Sequence, residues 1–161
     1  MYHSLVVEDL LLLIHVIALS AEYVNPNFAI DNVFIFPIHN AINSGASPYN
    51  AIRSAWDVSR VNKLLKPSYA VGLKNSISIG SFVISKWLTA SIDSNKYEFQ
   101  SPNHPSPLNF DALLNKNWTK VLDKVKGFWQ RGNYLIIEFN GQGQFKIKRG
   151  SQDINTWHDC I

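Results

Sequence analysis

The chain has 161 residues, of which 46% are apolar and 17% are charged. This is about the length of one domain, and such a chain can bury enough apolar surface to fold without disulfides or metals. The low charge argues against disorder, and we predict one domain over residues 1–161. A lone cysteine, Cys160, excludes an internal disulfide and a cysteine-rich zinc site. Its place beside the C-terminus predicts a frayed tail residue.

Charge is distributed unevenly along the chain. Residues 1–52 contain four acids and no lysine or arginine, whereas residues 53–161 contain all 15 basic residues and the other eight acids. Such asymmetry favours a polyanionic partner for the later part of the chain. The alternative is an excess of solvated lysines without a partner.

The first predicted element is a buried helix over about Leu5–Glu22. Its apolar run, residues 10–19, is too short to span a bilayer. The acids Glu8 and Asp9 precede this run, where a signal peptide would carry positive charge. Together with the lack of a disulfide pair, this favours a cytoplasmic protein with no membrane partner.

A strand at Val33–Phe36 and a short helix from Ser47-Pro48 follow. The middle of the chain then predicts a hairpin, with strands at Tyr69–Leu73 and Ile77–Ile84 and a tight polar connection between them. Small residues change sides after Gly80, which predicts a β-bulge or a close backbone approach there. Lys96–Phe99 is a candidate further strand.

Asp111 is predicted to cap a helix that continues to about Val125, with Gly127 as its C-terminal glycine. A second hairpin joins Tyr134–Phe139 to Gln144–Lys148. Two tight hairpins imply antiparallel pairing rather than a doubly wound parallel sheet. The predicted fold is therefore α+β, a curved mixed or antiparallel sheet or a small open barrel with flanking helices.

The sequence contains no complete catalytic motif, phosphate-binding loop or metal-binding pair of histidines. We therefore predict no cofactor and no metal, and we lean against an enzyme. His39 follows a predicted strand end, where the alternative to a chemical role is a solvated loop histidine. Glu138 lies across a hairpin from Lys146 and Lys148, and a cross-strand ion pair is the simpler interpretation.

Tryptophans beside cations are the more suggestive pattern. Trp56, Trp87 and Trp129 are predicted at element ends, near Arg53, Lys86 and Arg131 respectively. A flat ring beside a cation can stack a base while its phosphate is neutralised. The alternative for each ring is packing in the core.

Arg53 has two interpretations of its own. Helical spacing places Arg53 one turn after Tyr49. Its guanidinium could meet a ligand, or it could stack structurally and pair with Asp57 or Asp31.

The segment Tyr49–Arg60, followed by Tyr69–Leu73 and Gly80–Trp87, carries a family resemblance. It resembles an uncharacterised bacterial domain often found beside nuclease domains of the GIY-YIG class. That domain's pattern is roughly Tyr-x-Ala-x-Arg-x-x-Trp-x-Val, then Tyr-x-x-Ala-Val, a strand pair and a tryptophan. Its basic end, Arg-Gly-x-Gln-Asn-Pro, is matched in part by Lys148–Gln152, and the resemblance otherwise covers about residues 33–99.

The paired tyrosine-containing strand motif of the nuclease itself is not found, so the resemblance does not imply nuclease activity. It implies an accessory module that works with nucleic acid. The predicted architecture also resembles PUA-type domains, which hold a base in a pocket.

We therefore predict a non-catalytic nucleic-acid-binding specificity module of a bacterial or phage defence or restriction-type system. Its expected partner is DNA or RNA, with a separate nuclease subunit as a further candidate. The predicted contacts are Arg53, Lys146, Lys148 and Arg149 to phosphates, Trp56 and Trp87 to a base, and Tyr49 and Asp57 in the pocket. The alternatives are a protein-interaction or regulatory domain with an aromatic surface, and a small enzyme with an unrecognised site.

Overall fold

The computed structural model describes residues 21–53, 56, 68–125, 134–149 and 152–161, without the side chains of residues 149 and 152–155. Residues 1–20, which include most of the first predicted helix (Leu5–Glu22), lie outside the described residues, as do Asp57 and Gly127. Glu22, the predicted end of that helix, lies in irregular backbone.

The described residues form strands and short helices. The strands are β1 (Ala29–Pro37), β2 (Ser68–Lys74), β3 (Ile77–Ile84), β4 (Lys86–Thr89), β5 (Tyr97–Gln100), β6 (Leu135–Asn140), β7 (Gln144–Arg149) and β8 (Gln152–Asp159). The helices are α1 (His39–Asn43), α2 (Pro48–Arg53) and α3 (Thr119–Val125), and Asp111–Leu113 forms a 3-10 helix. No helix within these ranges is long and apolar enough to cross a membrane.

Six strands form a mixed sheet in the order β3-β2-β1-β6-β7-β8, and β4 pairs with β5 in a separate two-stranded sheet. The β1–β2 pair is parallel, whereas the other neighbours are antiparallel. The fold is therefore α+β, as predicted. Of the two predicted forms the open sheet is the one observed, because β3 and β8 are opposite edges of the described sheet and do not close it into a barrel.

Strand β1 is buried on both faces of the sheet. Val33 and Ile35 point into a first core, which also contains Trp118, the residue directly before α3. Phe34 and Phe36 point into a second core, which α2 and the β4–β5 pair cover. Alternate residues of a strand face opposite sides, so a strand covered on both faces is apolar throughout. This explains why Val33–Phe36 is a continuous apolar run.

Helix α2 packs unusually close to β2 and β3. A Cβ added to Gly72 would lie 2.5 Å from Ile38 Cδ1 and 2.6 Å from Ile52 Cγ1, and one added to Gly80 would lie 2.9 Å from Ile52 Cδ1. The register also shifts beside Gly80, because Gly72 pairs with Gly80 but Leu73 pairs with Ser78. The bulge predicted at this glycine is therefore present, and the close contacts there come from the side chains of Ile52 and Pro48.

The helix predicted from Asp111 to Val125 is wrong in its first half. The 3-10 helix ends at Leu113, Asn115 has a φ of 54°, and α3 begins at Thr119. The intervening backbone pairs with the edge of β3 instead, since Ser78 N–H donates to Lys116 O and Asn115 N–H donates to Ser78 O. Asn117 Oδ1 then accepts from Thr119 N–H at 2.9 Å and satisfies one donor of the new helix start.

The prediction of a frayed tail at Cys160 is also wrong. Strand β8, which was not predicted, continues the β6–β7 hairpin and carries Cys160 into the first core with 1% of its surface exposed. Its N–H donates to Gly143 O at 2.9 Å. Burial, and then the charge of Asp159, raise the pKa of the Cys160 thiol from 9.0 to about 11.

Gly72→Ala tests the close approach of α2. The added methyl group must displace Ile38 and Ile52, so we expect a loss of about 1–3 kcal/mol in the free energy of unfolding. Urea denaturation measures it. The loss in the double variant with Ile52→Ala should be smaller than the sum of the single losses, since the clash with Ile52 is then removed and the clash with Ile38 alone remains. Strict additivity would contradict the contact.

Iodoacetamide labelling tests the burial of Cys160. At pH 8 a pKa of about 11 leaves roughly 100-fold less thiolate than a pKa of 9.0. We expect the folded chain to react at least that much more slowly than the chain in urea, as followed by intact mass. Equal rates in the two conditions would show that the thiol is accessible.

Candidate nucleic-acid interface

Four predicted residues, Tyr49, Arg53, Trp56 and Trp87, lie around α2 together with Glu98 and His104, and we call these six residues the α2 cluster. The Arg53 guanidinium carbon lies 5.7 Å from the centre of the Tyr49 ring. Arg53 Nη2 lies 3.4 Å from Glu98 Oε2, and the two side chains are 19% and 11% exposed. The acid that pairs with Arg53 thus comes from β5, whereas the sequence suggested Asp57 or Asp31.

Tyr49 anchors the loop that follows β5. Its hydroxyl accepts from Ser101 N–H at 3.1 Å and lies 2.8 Å from His104 Nδ1. Its ring meets Phe82 and Phe99 edge-on, at centroid distances of 5.0 and 6.0 Å. With 6% of its surface exposed, Tyr49 packs between α2 and this loop.

The two predicted stacking tryptophans rest on the phenylalanines of β1. The Trp56 ring lies 4.5 Å from Phe36, and its indole N–H donates to Ile52 O. Trp87 is 9% exposed and lies 5.5 Å from Phe34. Its buried Nε1 has no hydrogen-bond partner among the described residues. Trp87 is therefore packed in the core, which was the alternative to base stacking for each of these tryptophans. Trp56 is partly exposed.

The predicted lysines belong to a second cluster, which we call the platform (Glu138, Lys146, Lys148 and Trp157). Glu138 Oε1 lies 3.8 Å from Lys146 Nζ and 3.5 Å from Lys148 Nζ, so the predicted cross-strand ion pair is confirmed. Lys148 Nζ also donates to Asp31 O at 3.1 Å. Lys146 Nζ lies 5.1 Å from the centre of the Trp157 ring, and Trp157 is 38% exposed.

The platform and the α2 cluster share one face of the sheet. Phe34 pairs with Ile136 and Ile136 pairs with Lys148, so these three side chains form a row across β1, β6 and β7. With strands about 4.8 Å apart, Lys148 begins roughly 10 Å from Phe34. Arg149 follows Lys148 on β7, and its side chain lies outside the described residues.

Sequence reasoning missed Trp157, Glu98 and His104. Trp157 was missed because β8 was not predicted. No local signal joins Arg53 to Glu98 or Tyr49 to His104, because each pair meets only through the tertiary fold. His39 is surface exposed, and its Nε2 lies 3.2 Å from Asn43 Nδ2.

Within the described ranges no group of three His, Cys, Asp or Glu side chains is placed to hold a metal ion. No family model matches the chain, and no curated protein or solved structure is significantly similar to it. The resemblance to the domain found beside GIY-YIG nucleases, and the PUA-like comparison, therefore stay predictions.

Glu98→Gln tests whether Arg53 is structural. The substitution leaves a mostly buried guanidinium without its carboxylate, so we expect the free energy of unfolding to fall by about 3 kcal/mol. Replacing both residues with apolar ones, as in Arg53→Met with Glu98→Leu, should cost less.

The matched control is Glu22→Gln, because Lys116 Nζ and Glu22 Oε2 are also 3.4 Å apart but the Glu22 side chain is 86% exposed. Such a surface pair contributes about 0–1 kcal/mol. Equal losses for Glu98→Gln and Glu22→Gln in urea denaturation would contradict a structural role for Arg53.

Proposed function

We propose that the chain is a non-catalytic nucleic-acid-binding module whose platform receives an unpaired base and the adjoining phosphates. The observation that carries the proposal is the placement of Lys146 over the partly exposed ring of Trp157. An aromatic ring can stack any base, and a lysine beside it can neutralise the phosphate of the same nucleotide. Stacking requires an unpaired base, so the proposed ligand is single-stranded.

Lys148 extends the proposed contact along the strand direction. It stands two residues from Lys146 on the same face of β7, about 7 Å along the strand. That spacing is close to the distance between neighbouring phosphates of an extended strand. Among the described side chains, Glu138 is the carboxylate between the two ammonium groups, and the three side chains are 14–18% exposed, so a phosphate would compete with Glu138 for a lysine.

The α2 cluster would support this surface from the side. Trp56 is the partly exposed ring of that cluster and a second candidate for stacking. Arg53 is neutralised by Glu98, and Trp87 is buried. We therefore assign to Arg53, Trp87 and Tyr49 the role of holding α2 and β4 against the sheet.

The wider setting is part of the proposal. The defence system and its nuclease come from the sequence resemblance, and the cytoplasmic location comes from the acids before the apolar run and the lack of a disulfide pair. A module of this kind would act in the cytoplasm of a bacterium, or in a phage-infected cell. There it would direct a separate nuclease subunit of a defence or restriction-type system to its target.

Fluorescence anisotropy with labelled 15-residue DNA and RNA, single- and double-stranded, tests the proposal at two salt concentrations. Trp157→Ala should weaken single-strand binding by about 1–3 kcal/mol, or roughly 5- to 150-fold. Two phosphate contacts predict a slope of log K against log salt of about −1.4, and Lys148→Gln should reduce it by about 0.7.

Tyr23→Ala is the matched control. Tyr23 is 41% exposed and has Lys120 Nζ 5.7 Å from its ring centre, but it lies in the segment before β1 and bridges to Asn117. It thus offers the same kind of ring and cation away from the platform. Binding that is lost equally in Tyr23→Ala and Trp157→Ala, or that stays unchanged in Trp157→Ala, would contradict the platform as the site.

A further inference from the structure

A second surface lies beside the first core, away from the platform. It is a groove of about 560 Å³ between the segment that precedes β1 and the segment that precedes α3. The residues that matter to its chemistry are Tyr23, Pro26, Phe28, Ala112, Lys116 and Ile161. We call this surface the groove.

Exposed apolar side chains are concentrated in the groove. Six large apolar residues are exposed in the described part of the chain, and three of them line this one concavity. Tyr23 is 41%, Phe28 is 43% and Ile161 is 67% exposed. Single exposed apolar residues are normal, but a contiguous group with a polar rim marks an interaction site.

Lysines stand at the rim of the groove. Lys116 lines it and pairs with the exposed Glu22 at 3.4 Å. Lys120 is the second residue of α3 and is exposed. Its Nζ lies 5.7 Å from the centre of the Tyr23 ring. A carboxylate brought by a partner can reach either ammonium group, because neither is deeply buried.

The walls of the groove are fixed by backbone contacts. Asn117 N–H donates to Glu22 O at 2.7 Å, and Val24 N–H donates to Asn117 O at 3.0 Å, so the two walls form a short parallel ladder. The Phe28 ring meets Phe110 edge-on at 6.2 Å. A groove already held in shape loses little conformational entropy when a ligand enters it.

We propose that the groove binds an extended acidic peptide segment of a partner protein. An apolar side chain of the peptide inserts between Tyr23, Phe28 and Ile161, and a flanking Asp or Glu pairs with Lys116 or Lys120. A peptide fits better than nucleic acid, because Ile161, Pro26 and Ala112 suit an aliphatic or aromatic side chain.

Selection from a displayed library of random 12-residue peptides tests the inference on the full chain. The Phe28→Ala, Lys120→Glu double variant serves for counter-selection. We expect the enriched peptides to share an apolar residue flanked by Asp or Glu. In anisotropy, the dissociation constant of the consensus peptide should rise at least 10-fold in Phe28→Ala and in Lys120→Glu separately. Lys120→Glu changes an exposed residue, so it keeps the test valid if Phe28→Ala unfolds.

Leu108→Ala is the control, because Leu108 is 82% exposed and lies outside the groove. It should leave peptide binding unchanged, as should Trp157→Ala on the platform. The inference is overturned if no peptide is enriched over the counter-selection or if the consensus is basic. It is also overturned if Lys120→Glu leaves the affinity unchanged, or if Phe28→Ala abolishes oligonucleotide binding instead.

Discussion

Strand β1 must be buried on both of its faces, and the remaining elements are arranged around that requirement. It lies between a parallel neighbour, β2, and an antiparallel neighbour, β6, so its backbone is paired on both sides. Its side chains point to the two faces in the interior of the sheet. Phe34 and Phe36 need a cover on one side, which α2 and the β4–β5 pair supply. Val33 and Ile35 need one on the other, where Trp118 and α3 lie. Two separate cores follow from one strand.

On the second face, the apolar layer formed by the described residues ends at β6. Ile136 on β6 is still buried, but its neighbour in the next row of that strand is Glu138, and the facing residues of β7 are lysines. On the first face the same two strands remain apolar, with Ile137, Phe139, Phe145 and Ile147 in the core. The alternation of apolar and polar residues in β6 and β7 therefore records where the layer above the sheet ends. This boundary creates the platform.

Elements that depend on local signals could be predicted from the sequence. β1, both hairpins, α2 with its Ser-Pro start and the bulge at Gly80 were all predicted, because turn residues and apolar periodicity act within a few residues. The continuous helix after Asp111 was wrong, because pairing with Ser78 on β3 outweighed helical periodicity. The partners of Arg53 and Tyr49 could not be found, since Glu98 and His104 are brought near by folding alone. Trp157 needed knowledge of β8, although Gly150-Ser151 directly before that strand is a two-residue hairpin signal in the sequence.

The arrangement of charge on the platform determines what kind of ligand contact it can make. Two lysines on one face of β7 would repel each other, and Glu138 between them removes much of that repulsion. The same carboxylate would compete with any phosphate, so the proposed attraction between the platform and a polyanion would be weak. Glu138 does not compete with a base for the Trp157 ring. Stacking on that ring would also depend less on ionic strength than a lysine–phosphate contact does. Selectivity for an unpaired base would then come from the ring, while the lysines set the orientation of the strand that carries it.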